Sequence, residues 1–485
     1  MPNPFSKIRS AAIDGRALNP IFRKVQLKQL HDALLEKAPG IQDAIASDTG
    51  YPQTEVQIEF WLAMRQLAQA CTAINPDKAL HDEYAVSRSQ STPQEREPVG
   101  IVVIQPAKHA FFSCLMSAFI PALAAGNCVI VETEQSLLRT PRLVLDIIAQ
   151  ALDHDIFETT MTPVSESELD HQHIRVLQNG TDKAHLSHHL VSDPDARVVA
   201  IVERDADLNA AAQELVRARF VLRGRSPYAP DVVLVNEWVK REFLEAVVRH
   251  TVRFASDEGK KQPPRTSHGQ SLSEQVRTEK GVNVLSWSSA GVIVDVTDRK
   301  SALLNRKVQE SCLLVHAVTS IDDAIDFSAG SRLGAAYVFT KPSAAKYICQ
   351  FLDTPMAFVN HVPTSLLFLP MAPPNTSVSP ETYLPYNEVV FSRPKAQFVA
   401  VSAQDALLAQ VVHQASPQQL RAFAQEAMGK LPVVKRVKRG VADMNFFNQG
   451  IVTGGILLLS TVVGVTGICS YYGIGLIRSR VFNGV

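Results

Sequence analysis

Residues 100–131 read GIVVIQPAKHAFFSCLMSAFIPALAAGNCVIV. Within them, 101–104 is a continuous apolar run, as expected of a strand covered on both faces. Residues 110–125 are apolar on every side, which suits a helix buried between layers. Gly126-Asn127 supplies a turn, and 128–131 is a second apolar run. A strand, a buried helix and a second strand of this kind form a β-α-β unit, and so an α/β fold with a parallel sheet.

Working outward from this unit, Thr140-Pro141 is expected to start the next helix, with a hydroxyl cap and proline at the first position. Upstream, Val56, Phe60, Ala63, Leu67 and Cys71 mark one face of a helix, and Leu27, Leu30 and Leu34 form a similar stripe. Residues 75–97 are polar and read as an exposed connection. Downstream, 198–202, 232–235, 335–339 and 357–360 read as strands, with helices over 208–220 and 238–254. The stretch 256–281, rich in Lys, Gln, Ser, Pro and Gly, reads as a surface excursion.

The whole chain has 485 residues, about three domain-sized units. Lys plus Arg is 48 and Asp plus Glu is 48, a net charge of zero. That balance excludes a general nucleic-acid binder, which needs a basic face to displace counterions. Hydrophobic residues at 46% and charged residues at 20% indicate a globular body. Cys71, Cys114, Cys128, Cys312, Cys349 and Cys469 lie far apart, with no C-x-x-C pair, so neither a thiolate metal site nor a disulfide framework is expected. Residues 1–20 carry scattered charges and no apolar run, so no signal peptide is expected.

Residues 451–477 read IVTGGILLLSTVVGVTGICSYYGIGLI. Spanning hydrocarbon takes roughly 20 such residues, so this stretch is read as a transmembrane helix. Lys435, Arg436, Lys438 and Arg439 precede it, whereas only Arg478 and Arg480 follow. The bias places the large N-terminal part in the cytosol, with the chain held by its C-terminal tail to an intracellular membrane, the endoplasmic reticulum in the first place. Gly450 and Gly454 are spaced for helix contact in the bilayer.

The motifs Glu97-Pro98-Val99-Gly100-Ile101-Val102 and Pro121-Ala122-Leu123-Ala124-Ala125-Gly126-Asn127, followed by Asp205-Ala206-Asp207-Leu208, Ala229-Pro230-Asp231, Asp322-Asp323-Ala324-Ile325 and Phe391-Ser392, resemble the aldehyde dehydrogenase superfamily over about residues 20 to 400. The likeness is greatest to the class 3, fatty aldehyde dehydrogenase-like branch, whose membrane forms also end in a hydrophobic tail. The resemblance implies a Rossmann-like dinucleotide domain (1–190, with the N-terminal helices), a catalytic-type α/β domain (191–375) and an oligomerisation segment with linker (376–440), followed by the transmembrane helix (451–477). It also implies NAD as cofactor, and a homodimer or a heterodimer with an active aldehyde dehydrogenase.

In this family a cysteine thiolate adds to the aldehyde carbon, hydride passes to the nicotinamide, and a glutamate activates water to release the acid. The nucleophile loop corresponds to Gly224-Arg225-Ser226-Pro227-Tyr228-Ala229-Pro230-Asp231, which puts Pro227 in the cysteine's place. Proline offers neither a nucleophile nor an N–H. Lys108 stands where the oxyanion-holding asparagine belongs, and Asp193 where the general base belongs. On the cofactor side, Glu132 can accept a ribose hydroxyl hydrogen bond and would repel a 2′-phosphate, favouring NAD over NADP. Glu310 stands in for a second glutamate of the family.

Two readings follow. One is a membrane-anchored, catalytically impaired relative acting as an adaptor in lipid or small-molecule aldehyde metabolism. The other is an active NAD-dependent enzyme oxidising a hydrophobic aldehyde through an atypical site. As substitutes for the nucleophile, Ser226 reads as a loop serine, Cys312 as a core residue and Tyr228 as a packing residue. His185, His188 and His189, preceded by His171 and His173, have helical metal-ligand spacing, but their polar surroundings favour a solvated loop, and no metal is expected.

Overall fold

The computed structural model describes residues 4–482, apart from 89, 91–94, 170–171, 181–187, 258–271, 273–274, 277–278, 289–290, 331, 375, 377, 396–399 and 434–445. After a short strand β1 (Arg96–Pro98), the β-α-β unit forms where its apolar runs lie. Strands β2 (Ile101–Gln105) and β3 (Cys128–Glu132) flank the helix Phe111–Ala124, in which every residue from Phe112 onward is buried. The two strands are parallel, with Ile101 opposite Cys128 and Ile104 opposite Val131. Strands β4 (Phe157–Thr160), β5 (His173–Leu177) and β6 (His189–Val191) complete a parallel sheet in the order β4-β3-β2-β5-β6. A sheet covered by helices on both faces needs apolar residues throughout its central strands, and β2 and β3 supply them.

A second sheet holds β7 (Val198–Val202), β8 (Val232–Asn236), β9 (Val282–Trp287), β10 (Val292–Val296), β11 (Cys312–Val318), β12 (Ala335–Phe339) and β13 (Ala357–Val359). Its order is β13-β12-β7-β8-β11-β10-β9, parallel except for the β9–β10 pair. Strand β14 (Ser392–Pro394) returns antiparallel onto β1, with Arg96 opposite Pro394. The buried side chain of Asn127 fastens this return. Its Nδ2 donates to the carbonyls of Ala122 at 3.0 Å and Phe391 at 2.9 Å, while its Oδ1 accepts the Gly100 N–H at 2.9 Å. Gly126 beside it has φ +99, a left-handed turn that a side chain would strain.

The helix Gln53–Ala73 buries Val56, Phe60, Ala63 and Leu67, while Cys71 at its end stays partly exposed. Phe60 stacks on Phe112 with ring centroids 5.7 Å apart. Glu59, on the same face, accepts the N–H groups of Phe112 at 3.0 Å and Ser113 at 3.4 Å, capping the buried helix from outside. Its Oε2 is buried with no hydrogen-bond partner among the described residues. Burial raises this carboxyl from 4.5 to about 7, against the pull of the two N–H groups.

Several expectations are corrected. The helix expected at Thr140-Pro141 begins at Arg139, and Thr140 is not its cap. The cap is Asp48, from the helix Ala38–Thr49, which accepts the N–H groups of Arg139 at 3.0 Å and Thr140 at 2.7 Å and the Thr140 hydroxyl at 2.7 Å. Capping from a distant helix leaves no local signal. The polar connection 75–97 holds the helix Pro76–Glu83, capped by Asn75, and strand β1. Leu272 and Val276 are buried, so the end of the 256–281 excursion is core; residues 258–271 lie outside the described residues. The helix expected over 238–254 runs Lys240–Asp257, leaving Trp238 exposed before it.

At the far end, the helix Phe446–Phe482 is long and apolar enough to cross a membrane. The most apolar 18 residues of its span Asn448–Tyr472 have mean hydropathy 2.1, and none of these is buried against protein. The span's 25 residues measure about 37 Å against roughly 30 Å of hydrocarbon. A Cβ at Gly450 or Gly454 would meet nothing. The basic run 435–439 lies outside the described residues.

Two measurements check this account. Asn127→Ala leaves the buried Gly100 N–H unpaired and removes one of two donors from the Ala122 and Phe391 carbonyls, which keep the N–H groups of Asn127 and Val99, and should cost about 2 kcal/mol in chemical denaturation; a loss under about 1 kcal/mol would contradict the fastening role. Because folded Glu59 holds its proton more tightly than the unfolded chain does, stability should fall as pH rises from about 4.5 to 7 and level off above. Glu59→Gln should flatten that slope and be the more stable protein at about pH 8, by roughly 2–3 kcal/mol.

Candidate active site

The loop that carries Pro227 is positioned by the helix Leu208–Phe220, whose N-terminus is capped by Asp207 through the N–H groups of Asn209 at 3.1 Å and Ala210 at 3.0 Å. The helix ends in three successive left-handed residues: Leu222 (φ 53), Arg223 (φ 53) and Gly224 (φ 71). For leucine and arginine this conformation costs about 1–2 kcal/mol each. It is held by the Leu222 N–H on Glu55 Oε2 at 3.0 Å and by the Arg223 guanidinium on the Gly50 carbonyl at 3.2 Å. At Gly224 a Cβ would lie 2.3 Å from the Glu310 carbonyl oxygen, so only glycine fits.

Pro227 is buried, and its carbonyl accepts the Lys307 ammonium at 2.5 Å. Lys307 also donates to the Ala196 carbonyl at 2.9 Å and to Asp231 Oδ2 at 3.2 Å. Asp231, 1% exposed, accepts the N–H groups of Val198 at 2.7 Å and Val308 at 2.9 Å. The fully buried Arg219 lies 3.8 Å from that carboxylate and donates to the carbonyls of Pro230 at 3.2 Å, Val308 at 2.9 Å and Gly224. Burial lowers the Lys307 pKa, while Asp231 pulls it back up. Lys307 therefore staples the Pro227 loop to the turn before β7.

That turn contains Asp193, which is exposed; its Oδ1 accepts the Asp195 N–H at 3.2 Å. Lys108 is also exposed and forms an ion pair with Glu134 at 2.8 Å. The pair lies in a cleft at the carboxyl ends of β2 and β3, lined among others by Pro106, Glu132, Ser136 and Asn179. The strand order reverses between β2 and β5, so this is the switch point where dinucleotide folds take their ligand. Asn179 bridges the two strand ends through the Pro106 carbonyl at 2.8 Å. Glu132, 7% exposed, is engaged by the protein: its Oε2 accepts the Val164 N–H at 3.3 Å and stands 3.5 Å from Arg175.

The substitute groups are placed as follows. Ser226 is buried and its hydroxyl accepts the Tyr228 N–H at 3.3 Å, a turn contact. Cys312 is buried at the start of β11, its thiol pushed up to about 12 by burial. Glu310 accepts the Leu272 N–H at 2.9 Å. Tyr228 is buried; its hydroxyl accepts the Ala372 N–H at 2.9 Å and its carbonyl accepts the Tyr337 hydroxyl at 2.8 Å.

Three groups near this region were not expected from sequence. Lys307 has no motif around it. Cys114 lies with its Sγ 3.7 Å from His109 Nε2. Burial raises that thiol well above its ordinary range and lowers the imidazole to about 4, so both are neutral near pH 7. Five residues apart across a helix start, the two share no recognisable spacing. Of the histidines, His173, His188 and His189 gather around Glu166, which corrects the reading of a solvated loop. His171 and His185 lie outside the described residues.

Comparison with known proteins agrees with this architecture. Residues 8–369 match the profile of the aldehyde dehydrogenase family. The chain is 22% identical over 363 residues to the dimeric NADP-preferring aldehyde dehydrogenase of Rattus norvegicus, covering 69% of this chain and 79% of that protein. It is 22% identical over 370 residues to aldehyde dehydrogenase family 3 member A2 of Mus musculus, covering 69% and 74%. Among solved structures, substrate-bound AldH of Staphylococcus aureus superposes with TM-score 0.65 at 18% identity, covering 88% of this chain and 98% of that one. The aldehyde dehydrogenase KauB of Pseudomonas aeruginosa gives TM-score 0.62 at 18% identity, covering 82% and 88%. By sequence profile and by fold, this chain belongs to the aldehyde dehydrogenase family, with class 3 members among its relatives.

Proposed function

We propose that the chain is a membrane-anchored aldehyde dehydrogenase-like protein that no longer oxidises aldehydes and works as an adaptor at an intracellular membrane. The observation that carries this reading is Pro227. It fills the family's nucleophile position, buried, with its carbonyl held by Lys307. Removing the nucleophile of a covalent mechanism costs on the order of 10⁶ in rate.

The surrounding groups support the same conclusion. A tetrahedral oxyanion needs a fixed donor aimed at it. Lys108, in the oxyanion position, is exposed and paired with Glu134. Asp193, in the base position, is exposed in a turn whose N–H it already accepts. Dinucleotide binding as the family makes it is weakened, because the acidic group meant for the ribose is already engaged through its Oε2 by the Val164 N–H and Arg175. What remains is the fold, the β1–β14 ribbon and the apolar C-terminal helix. A relative named as dimeric supports pairing, with a second copy or with an active aldehyde dehydrogenase. The exposed span Asn448–Tyr472 supports membrane attachment.

One observation favours a second reading, an active enzyme with an atypical site: the Cys114–His109 contact places a thiol beside an imidazole. With both groups neutral and the thiol fully buried, that pair is a poor nucleophile.

The full-length chain in detergent micelles should produce no NADH or NADPH from a series of aldehydes, hexanal to hexadecanal. Turnover abolished by Cys114→Ser would establish the second reading instead. Pro227→Cys should stay inactive, since the donor and base positions are altered too; recovery of activity would show that only the nucleophile had been lost. Deleting residues 446–482 should move the protein from the membrane pellet to the soluble fraction, and retention in the pellet would overturn the anchoring.

A further inference from the structure

At the edge of the five-stranded sheet, three imidazoles converge on one carboxylate. His173 opens β5, His188 and His189 lead into the outermost strand β6, and Glu166 starts the short helix Glu166–Leu169. His173 Nε2 lies 2.6 Å from Glu166 Oε2, His188 Nε2 lies 3.6 Å from the same oxygen, and His189 Nε2 lies 3.6 Å from Oε1. The rings pack edge to face, His173 to His188 at 5.0 Å and His188 to His189 at 4.5 Å between centroids. The side chains of His173 and His189 are only 10% and 4% exposed.

We propose that Glu166, His188 and His189, with His173 beside them, form a binding site for a divalent transition metal of the zinc type. Ligand atoms from the first three residues all lie within 4.8 Å of one another. Bonds of about 2.0–2.2 Å to nitrogen and oxygen set tetrahedral ligand atoms roughly 3.3–3.5 Å apart. The two 3.6 Å separations are close to that spacing, and small side-chain rotations supply the rest. Two imidazoles and one carboxylate suit zinc and disfavour the hard oxygen-seeking ions, while His173, at hydrogen-bond distance from Glu166 Oε2 (2.6 Å), supports the carboxylate from outside.

The surroundings hold the carboxylate in place. Arg175 Nε donates to Glu166 Oε1 at 3.1 Å, which leaves Oε2 facing His173 and His188. The charge of Arg175 is offset on its other side by Glu132 at 3.5 Å. This is the outer support that metal-binding carboxylates characteristically have. The ligands come from β6 with the turn before it and from a separate short helix. A bound ion would therefore tie the outermost strand, whose hydrogen-bonded register with β5 covers only Arg175–Leu177 and His189–Val191, to the helix Glu166–Leu169. The site needs neither the Pro227 loop nor any catalysis, so it stands or falls apart from the proposed function.

The test uses the full-length chain in detergent micelles, stripped with a chelator and titrated with zinc chloride by calorimetry, with bound metal counted after desalting. One zinc per chain and a raised Tm are expected. His188→Gln should weaken binding at least about 100-fold, since even outer partners of a metal site typically cost about 10–100-fold. It should also abolish the rise in Tm. Glu166→Gln, at a more exposed position, gives the same readout if the histidine variant fails to fold. His31→Gln, elsewhere on the surface, should change nothing. Less than one zinc retained per chain, or unchanged affinity in a folded His188→Gln or Glu166→Gln protein, would overturn the proposal.

Discussion

The buried carboxylate of Asp231 is the point on which the central part of this molecule depends. It accepts backbone N–H groups from the start of β7 and from Val308, and it faces two buried cations, Lys307 and Arg219. Those cations in turn saturate carbonyls of the Pro227 loop, of the turn at Ala196 and of Gly224. Burying three charges is costly on its own, and only a network that satisfies nearly every donor and acceptor offsets it. One carboxylate thereby joins the loop after the helix Leu208–Phe220, the second sheet and the segment leading to β11.

This arrangement separates architecture from chemistry. The backbone of the Pro227 loop is held by Gly224, the left-handed pair before it and Asp231 after it. A side chain between those anchors can change without touching those bonds where, unlike that of Tyr228, it makes no hydrogen bond of its own. Pro227 sits in such a position, with its carbonyl still serving the staple. On the proposed function, a retained fold is compatible with an altered site because different atoms of the same loop carry the two tasks.

Much of the fold was legible because it rests on local periodicity. Continuous apolar runs located β2, β3, β7, β8 and β12, and the stripe Val56, Phe60, Ala63, Leu67 located a buried helix face. Strands β4, β5 and β6 escaped because they lie toward the sheet edges with mixed burial: FETT and HIRVL carry little alternation to read. The loop bearing Pro227 was legible through its flanking motif. Lys307 and the Asp48 cap were not, because each joins residues that only tertiary packing brings together, and the Cys114–His109 contact was not, because its five-residue spacing across a helix start marks no motif. The histidines show the same limit. Their spacing in sequence is helical, yet His188 lies in a turn and His189 opens a strand, and their common partner Glu166 lies far upstream.

The apolar helix at the C-terminal end bears on association as well as location. A head tethered by Asn448–Tyr472 to a lipid sheet explores two dimensions instead of three. Confinement of that kind raises the local density of tethered neighbours, as a short linker raises effective concentration to about the millimolar range. A contact too feeble to survive dilution in free solution could then hold two such heads together, so a membrane anchor of this kind would let a modest interface suffice.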